Sequence, residues 1–213
     1  MIRVLIVDDH TIVRRGLNAF LAQTDDIQVV GEADNGLEAV LLSKELEPDI
    51  ILMDLLMPKM DGMEATRQII IQQPHMRVLV MTSFVCDEKI FPAIKAGALG
   101  YLLKESEPRE LVQSIYKLHH GGLSLPASIA RKMMKEIMET PVTEPIADPL
   151  TARELDVLRL LAEGFSNEEI AARLAISGCT VRSHINHLMA KLHLANRVQA
   201  TLYALREGIV LPG

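Results

Sequence analysis

The chain has 213 residues, of which 49% are hydrophobic, none is Trp and only seven are Phe or Tyr. This length predicts one large domain or two modest ones, with cores built mainly from Leu, Ile, Val, Ala and Met. The formal net charge of −6 conceals an uneven distribution: residues 1–121 carry 12 basic and 18 acidic side chains, whereas residues 150–213 carry 7 basic and 6 acidic ones. The asymmetry indicates an acidic regulatory part joined to a part that meets a polyanion.

Several common classes of protein are not expected from this sequence. No apolar run approaches the 18 residues of a membrane-spanning helix, and the first residues lack the basic region and cleavage site of a signal peptide. The two cysteines, Cys86 and Cys179, lie far apart and form no metal-binding motif, which is typical of reduced thiols. We therefore expect a cytoplasmic protein that makes no contact with a membrane.

The first half of the chain has the pattern of five β-α units. Short apolar runs that are bounded by polar or turn residues predict strands buried on both faces, and amphipathic stretches between them predict helices. Such an alternation favours a parallel sheet. The predicted strands cover 2–7, 27–31, 49–54, 76–82 and 99–103, and the predicted helices cover 11–23, 35–47, 62–73, 87–96 and 107–120.

Five polar residues stand at or just past the ends of these predicted strands. They are Asp8 and Asp9 after the first strand, Asp54 at the end of the third, Thr82 at the end of the fourth and Lys104 after the fifth. In a parallel sheet the carboxyl ends of the strands share one edge, where ligands bind. The five residues are therefore expected to converge, although they are far apart in sequence.

The chemistry of these five side chains points to phosphoryl transfer. Three carboxylates on one edge repel each other unless a cation neutralises them, and all-oxygen donors favour Mg²⁺. A divalent ion, the Lys104 ammonium and the Thr82 hydroxyl could together bind the oxygens of a phosphoryl group. Asp54 is the best candidate for a nucleophile that forms an acyl phosphate, because it is central and stands alone at its strand end.

The pattern changes after residue 120. Residues 121–147 are expected to form a linker with a short helical piece, 127–139, followed by three prolines between 141 and 149. Four helices are expected to follow. The first begins at a capping box formed by Thr151 and Glu154, and Gly164 closes it. The second covers 168–174 with Asn167 as its cap, the third covers about 179–193, and the fourth about 197–206.

The third of these helices has an unusual outer face. At 100° per residue, Val181, Ile185, Leu188 and Leu192 form a buried stripe, and Cys179, Arg182, Ser183, Asn186 and Ala190 lie on the opposite face, which His187 and Lys191 flank. Residues 175–200 contain no acidic side chain. Short side chains with Arg and Asn suit a helix that lies in the major groove of DNA, although an ordinary solvated face is the alternative interpretation.

Residues 1–120 resemble a two-component receiver domain. The resemblance is carried by Val7-Asp8-Asp9-His10, by Met53 to Pro58 with Asp61-Gly62, by Thr82-Ser83 and by Lys104. It implies a doubly wound, flavodoxin-like α/β fold of five parallel strands, with Asp54 as the phosphoacceptor and a phosphohistidine on a sensor histidine kinase as the donor. It also implies that Mg²⁺ is held by Asp9, Asp54 and the backbone carbonyl of Leu56, with Asp8 acting through water. Lys104 and Thr82 would hold the phosphoryl group, and Tyr101 would be the switch partner of Thr82.

Residues from 148 to about 210 resemble a small all-α, four-helix DNA-binding domain of the LuxR type, and the domain is expected to cover 148–213. The resemblance is carried by Leu150 to Glu154, Gly164 to Ala171, Thr180 to Ile185 and Asn196 to Ala200. It implies that Thr180 and Lys191 contact phosphates, that Arg182, Ser183 and Asn186 face bases, and that the last helix helps to pair two protomers on double-stranded DNA. His187, which flanks this face, is also expected to contact DNA.

The two domains in this order resemble the NarL/FixJ class of response regulators. We therefore expect a transcription factor that phosphorylation at Asp54 switches, as a homodimer, and that is not an enzyme beyond its own phosphoryl transfer and dephosphorylation. Two alternatives stay open at this stage. One is a hydrolase that uses Asp54 as a nucleophile on a small metabolite, and the other is a DNA-binding dimer that never uses phosphate.

Overall fold

A computed structural model of the chain describes residues 1–83, 92–125, 149–192, 194 and 197–210. The chain divides into two compact units, Met1–His119 and His120–Gly213. None of the helices in the described ranges is long and apolar enough to cross a bilayer.

The described part of the first unit contains a parallel sheet of five strands in the order β2-β1-β3-β4-β5, which confirms the predicted doubly wound architecture. The predicted strand bounds are correct to within two residues. The strands are β1 Ile2–Val7, β2 Ile27–Ala33, β3 Ile50–Asp54, β4 Arg77–Thr82 and β5 Gly100–Leu103. Because β1 and β3 are neighbours in the middle of the sheet, the residues at their carboxyl ends meet at the point where the strand order reverses.

Helices follow the strands of this unit, and side-chain caps fix two of their starts. Asn35 and Asp61 accept hydrogen bonds from the backbone N–H groups of Glu38 and Glu64, three residues further on. The helices are α1 Thr11–Leu21, α2 Gly36–Leu46, α3 Gly62–Gln72 and α4 Pro108–His119. Residues 92–95 are also helical, and the rest of the predicted helix 87–96 lies largely outside the described residues.

The core of the first unit lies on both faces of the central strands. Leu5, Ile6, Ile51 and Leu52 are fully buried, so consecutive residues point to opposite faces and neither face meets water. Burial of each such side chain stabilises the fold by about 1.5–3 kcal/mol relative to exposure. The central strands are therefore a rigid support for the polar residues at their ends.

From residue 152 onward, the elements in the described part of the second unit are helices, as predicted. Its helices are α5 Ala152–Ala162, α6 Asn167–Leu174, α7 Gly178–Lys191 and α8 Arg197–Arg206. Their apolar faces share one core, which includes Val157, Leu161, Ile170, Val181 and Leu188. The capping box of Thr151 and Glu154 is present, and Gly164, with φ +91°, follows the end of α5 as expected.

One predicted cap in this unit is wrong. The cap of α6 is Ser166 and not Asn167, which is the first helical residue. The Ser166 hydroxyl accepts from the Glu169 N–H, and the Glu169 carboxylate accepts from the Ser166 N–H at 2.8 Å. Glu169 stands three residues after Ser166, so only a cap at Ser166 satisfies two free backbone donors at once. The predicted linker helix 127–139 and the prolines near 141–149 lie almost entirely in residues 126–148, outside the described part of the chain.

Candidate functional site

The carboxyl edge of the sheet gathers three carboxylates in a small space. Asp8 directly follows β1 and Asp54 ends β3, and the pairing of Val7 with Met53 brings these two ends side by side. Both side chains are buried. One ligand atom from each of Asp8, Asp9, His10 and Asp54 lies within 4.8 Å of the others. The structure therefore brings the predicted acidic residues together.

Lys104 reaches into this acidic pocket from the end of β5. Its Nζ lies 2.5 Å from Asp8 Oδ2 and 2.9 Å from Asp54 Oδ2. Its backbone N–H donates to the Thr82 carbonyl at 2.8 Å, which ties the ends of β4 and β5 together. Burial acts to lower the pKa of Lys104, but its bonds to Asp8 and Asp54 outweigh that effect and leave the pKa raised. The amine is therefore a stable cation shared by two carboxylates.

The pKa of Asp54 is raised, whereas an ion pair ordinarily lowers the pKa of an acid. Burial raises its pKa, and the hydrogen bond from Lys104 offsets this only in part, while the charge of Asp8 adds to the rise. Both partners of the ion pair thus have raised pKa values, because one ammonium cannot compensate two buried carboxylates. The Asp54 carboxylate is held in a higher-energy state than it would have in water.

The pocket is under-neutralised, and this bears on whether it fits a metal ion. Its three carboxylates and one ammonium leave two negative charges. Within the described residues, Asp9 Oδ1 is buried and accepts no hydrogen bond. His10 Nδ1 lies 2.7 Å from that oxygen, a contact that is an ion pair only when the ring is protonated. A buried carboxylate oxygen that accepts no hydrogen bond, beside two further carboxylates, fits a hard divalent cation.

The other residues predicted for this site lie on adjoining elements. Thr82 and Tyr101 are buried on neighbouring strands, one diagonal step apart, because Tyr101 pairs with Val80 and Thr82 with Leu103. Leu56 follows Asp54 by two residues, and its N–H lies 3.4 Å from Asp54 Oδ1. The residue is 44% exposed.

Gly62 belongs to the receiver-like motif but had no separate predicted role, and it packs tightly against the backbone of Asp54. A Cβ atom placed on Gly62 would lie 1.8 Å from the Asp54 carbonyl oxygen. The Gly62 N–H donates to the Leu55 carbonyl at 3.0 Å, and the Thr66 hydroxyl donates to the Gly62 carbonyl at 2.6 Å. The start of α3 is thus packed directly on the backbone of Asp54. Its place in the receiver-like motif and next to a helix cap did not by itself predict this contact.

Helix α7 presents the two faces that its sequence predicts. Its apolar stripe is buried in the domain core. The opposite side is exposed along its length and includes Cys179, Arg182, Ser183, Asn186 and His187. Ser177 caps the start of the helix: its hydroxyl accepts from the Thr180 N–H at 3.0 Å and lies 2.8 Å from the exposed Thr180 hydroxyl. This surface, named here the outer face of α7, carries no acidic side chain.

Lys191 departs from the rest of the predicted DNA-contacting set. Its Nζ donates to Glu154 Oε2 at 3.0 Å, and its side chain is 21% exposed. The Thr151 N–H holds the pKa of Glu154 low despite the burial of that carboxyl, and the bond from Lys191 adds to the effect. The lysine cation is therefore paired inside its own domain.

Hydrogen bonds from arginines fix the position of α6. Because α7 follows α6 after a short turn, they also position the start of α7. Arg153 donates to the Leu174 carbonyl at the end of α6 at 2.5 Å, and Arg197 donates to Asn167 Oδ1 at its start at 3.1 Å. The guanidinium of Arg173 stacks on the Phe165 ring at 3.7 Å. Ala175, with φ +52°, then turns the chain into α7. The orientation of the outer face thus depends on a hydrogen-bonded framework and not on apolar packing alone.

Comparisons with known families match both units. Residues 4–116 match the family described as response regulator receiver domain, and residues 148–204 match the luxR family of bacterial regulatory proteins. These matches include every pocket residue and the whole outer face of α7.

Comparisons with individual proteins extend along nearly the whole chain. The transcriptional regulatory protein LiaR of Bacillus subtilis is 45% identical over 210 residues, which are 99% of this chain and 100% of LiaR. The response regulator protein VraR of Staphylococcus aureus is 38% identical over 209 residues, which are 98% of this chain and 99% of VraR. The crystal structure of ChrA, a response regulator in a heme-sensing two-component system, covers 98% of both chains at 34% identity with a TM-score of 0.53.

Proposed function

We propose that phosphorylation of Asp54 controls how this protein binds DNA, because the chain belongs to the two-component transcriptional response regulators that join a receiver domain to a luxR-family DNA-binding domain. The observation that carries the proposal is the setting of Asp54. It is a buried carboxylate at the end of an interior strand, and burial raises its pKa. Lys104 Nζ lies 2.9 Å from Asp54 Oδ2. We place the receiver at residues 1–120, the linker at 121–147 and the DNA-binding domain at 148–213.

In the reaction that we infer, a carboxylate oxygen of Asp54 attacks the phosphorus of a phosphohistidine on a sensor histidine kinase. An O–P bond forms as the N–P bond breaks, and the electron pair leaves with the kinase imidazole. Lys104 exchanges its contact with Asp54 for one with a phosphoryl oxygen, and the Thr82 hydroxyl donates to another. Hydrolysis of the same acyl phosphate returns the site to its starting state. We propose no turnover of an outside substrate.

The acidic pocket supports a role for Mg²⁺ in this reaction. Asp9, Asp54 and the Leu56 carbonyl would hold the ion directly, and Asp8 would hold it through water. When bound, Mg²⁺ would neutralise charge on the carboxylates and on the phosphoryl oxygens. The orphaned oxygen of Asp9 and the two uncompensated negative charges of the pocket support this assignment.

Thr82 and Tyr101 are the residues that we propose to convert phosphorylation into a change of surface. Both are buried beside the strand end that Lys104 joins to β4. Movement of the Thr82 hydroxyl toward the phosphoryl group would alter the packing of Tyr101 and favour a homodimer. To change a 1:99 equilibrium into 99:1, the phosphoryl group must favour the dimer-competent form by about 5.5 kcal/mol.

The outer face of α7 is the surface that we propose for double-stranded DNA. Arg182, Ser183 and Asn186 are exposed where they can reach base edges, with Thr180 and His187 beside them for phosphates. Two such helices in a dimer would read two half-sites and gain affinity from being linked. Because its target is chromosomal DNA, we place the protein in the cytoplasm.

Sedimentation of the full chain tests the proposal, with and without Mg²⁺ and beryllium fluoride, on wild type and Asp54→Ala. We expect Mg²⁺ with beryllium fluoride to double the mass of the wild type and to leave the mass of Asp54→Ala unchanged. If wild-type mass stays constant while its DNA affinity responds to beryllium fluoride, the dimer is wrong and control by Asp54 stands. If neither mass nor DNA affinity responds, phosphorylation does not control this protein.

A further inference from the structure

The cations of the DNA-binding domain are not equally available to DNA. Residues 175–200 contain three Lys or Arg side chains, Arg182, Lys191 and Arg197. Lys191 pairs with Glu154, and Arg197 donates to Asn167 Oδ1 and to the Phe165 carbonyl. Arg182, in contrast, is exposed on the outer face of α7. Two of the three permanent charges in this basic stretch thus have partners inside the fold.

Glu154 is held in place by contacts within its own domain. Its side chain is buried, and Oε2 alone accepts three bonds: from the Thr151 N–H at 2.8 Å, from the Thr151 hydroxyl at 2.9 Å and from Lys191 Nζ at 3.0 Å. Thr151 and Glu154 also start α5 as a capping box. The Glu154 carboxylate is therefore fixed at the start of α5 by Thr151. It also accepts from Lys191 at the end of α7, 37 residues further along the chain.

Lys191 lies where its ammonium could contact DNA if it were not paired with Glu154. It is the last residue of α7, at the edge between the buried stripe and the outer face. A lysine stem at that edge can swing its ammonium toward a phosphate that flanks the groove. Each phosphate that a protein neutralises adds to its affinity for DNA of any sequence and steepens the fall of that affinity with salt.

We propose that Glu154 withholds Lys191 from DNA and thereby limits binding to DNA of unrelated sequence. The inference rests on the proposed placement of the outer face of α7 against DNA. Glu154 is then a residue that sets the affinity for DNA without touching DNA, because it removes one sequence-independent contact and leaves the base-facing residues unchanged. Its loss would raise the affinity for DNA of any sequence.

Glu154→Gln separates this role from the structural one. A glutamine at this position can still accept from the Thr151 N–H, because a capping box takes Glu or Gln. The substitution removes the negative charge that pairs with Lys191. The matched variants are Lys191→Met, which removes the withheld cation, and Arg182→Met, which removes the exposed one. Thermal melting of each full-length variant shows whether it is folded.

The test is fluorescence anisotropy of a labelled random-sequence duplex with the full chain, at salt concentrations from about 50 to 200 mM. We expect Glu154→Gln to bind more tightly, with a slope of log affinity against log salt that is steeper by about 0.9. That change corresponds to one added phosphate contact, or roughly 3.5-fold more affinity lost over this salt range. We expect Lys191→Met to leave the slope unchanged.

A slope that falls by about 0.9 in Lys191→Met would overturn the proposal, because Lys191 would then already bind phosphate in the wild type. No change in folded Glu154→Gln would overturn it as well, because a released Lys191 would then not reach DNA. Arg182→Met tests the surface on which the inference rests. If its slope and affinity match the wild type, the placement of α7 is wrong, whatever Glu154 does.

Discussion

Replacement of Gly62 by alanine tests whether the backbone contact beneath Asp54 positions the phosphoacceptor. The added Cβ would lie 1.8 Å from the Asp54 carbonyl oxygen, 2.8 Å from its carbonyl carbon and 3.0 Å from Leu55 Cα. All three are backbone atoms, so no side-chain rotation relieves the clash. The start of α3 and the end of β3 must separate by at least about 1.2 Å, since the contact becomes tolerable only beyond 3.0 Å.

Two opposing effects decide the size of the change in stability. Alanine restricts the unfolded chain and stabilises a protein by about 0.4–1 kcal/mol where the native backbone accepts it. Overpacking costs about 1–3 kcal/mol, or more when backbone must move. We therefore expect Gly62→Ala to lower the free energy of unfolding of the first unit by about 1–2 kcal/mol. Displacement of the nucleophile by about 1 Å is also expected to slow phosphorylation of Asp54 by roughly 100-fold.

The assay combines urea unfolding with the rate at which a small acyl phosphate phosphorylates the folded full chain. Hydrogen exchange of peptides from residues 1–119 assigns the unfolding transition to the first unit. Gly16→Ala is the matched control, because Gly16 lies inside α1 and a Cβ there would meet nothing within 4 Å. It is expected to stabilise the unit by about 0.5–1 kcal/mol and to leave the phosphorylation rate unchanged.

One result would refute this reasoning directly. If Gly62→Ala is as stable as the wild type and is phosphorylated at the same rate, the contact with the Asp54 carbonyl does not constrain the site. A loss of stability with an unchanged rate would mean that the strain is absorbed by α3 and never reaches the carboxylate.

Three further predictions concern charge and capping. Lys104→Met should raise the affinity for Mg²⁺ by roughly tenfold or more, because the ion no longer competes with an ammonium for the carboxylates; calorimetric titration measures it, and weaker binding would contradict it. Asp54→Asn should stabilise the first unit at pH 7, because burial raises the pKa of Asp54 and its charged form destabilises the fold. Urea unfolding from pH 7 to 3 should show this advantage shrinking as pH falls through the folded pKa and ending below 3.8, the ordinary value; an advantage that grows toward acid would be the wrong sign. Ser166→Ala should cost about 1 kcal/mol through loss of the α6 cap, whereas Ser183→Ala on the exposed face of α7 should stay within about 0.5 kcal/mol, and equal thermal melting of the two would contradict the capping role.

The fold and the acidic pocket could be predicted because local signals determined them. Apolar runs such as Val4 to Val7 are long enough to specify strands, and parallel pairing alone brings Asp8 and Asp54 to one edge. The predicted end of β2 at residue 31 is two residues short, because Gly31 is typical of a turn. Pairing with β1 extends that strand to Ala33, opposite Val7, which no local propensity reveals.

The errors and omissions have long-range causes or competing local ones. Ser166 and Asn167 are both good caps, and the choice depends on the spacing to Glu169. The pairing of Lys191 with Glu154 joins residues 37 positions apart, so only the packed domain brings them together. The contact of Gly62 with Asp54 depends on the path of the loop between β3 and α3, which a sequence pattern does not specify.

The strand order also gives the phosphorylation pocket two mechanically different sides. The carboxylates stand on β1 and β3, which are paired on both sides, whereas Lys104 follows β5, which is paired only with β4 within the described sheet. Opening of an interior strand breaks two ladders and opening of an edge strand breaks one, so amide protons of β5 should exchange with solvent faster than those of β3. In the proposed mechanism, the nucleophile Asp54 thus stays fixed while the less constrained edge strand beside it responds to the new charge.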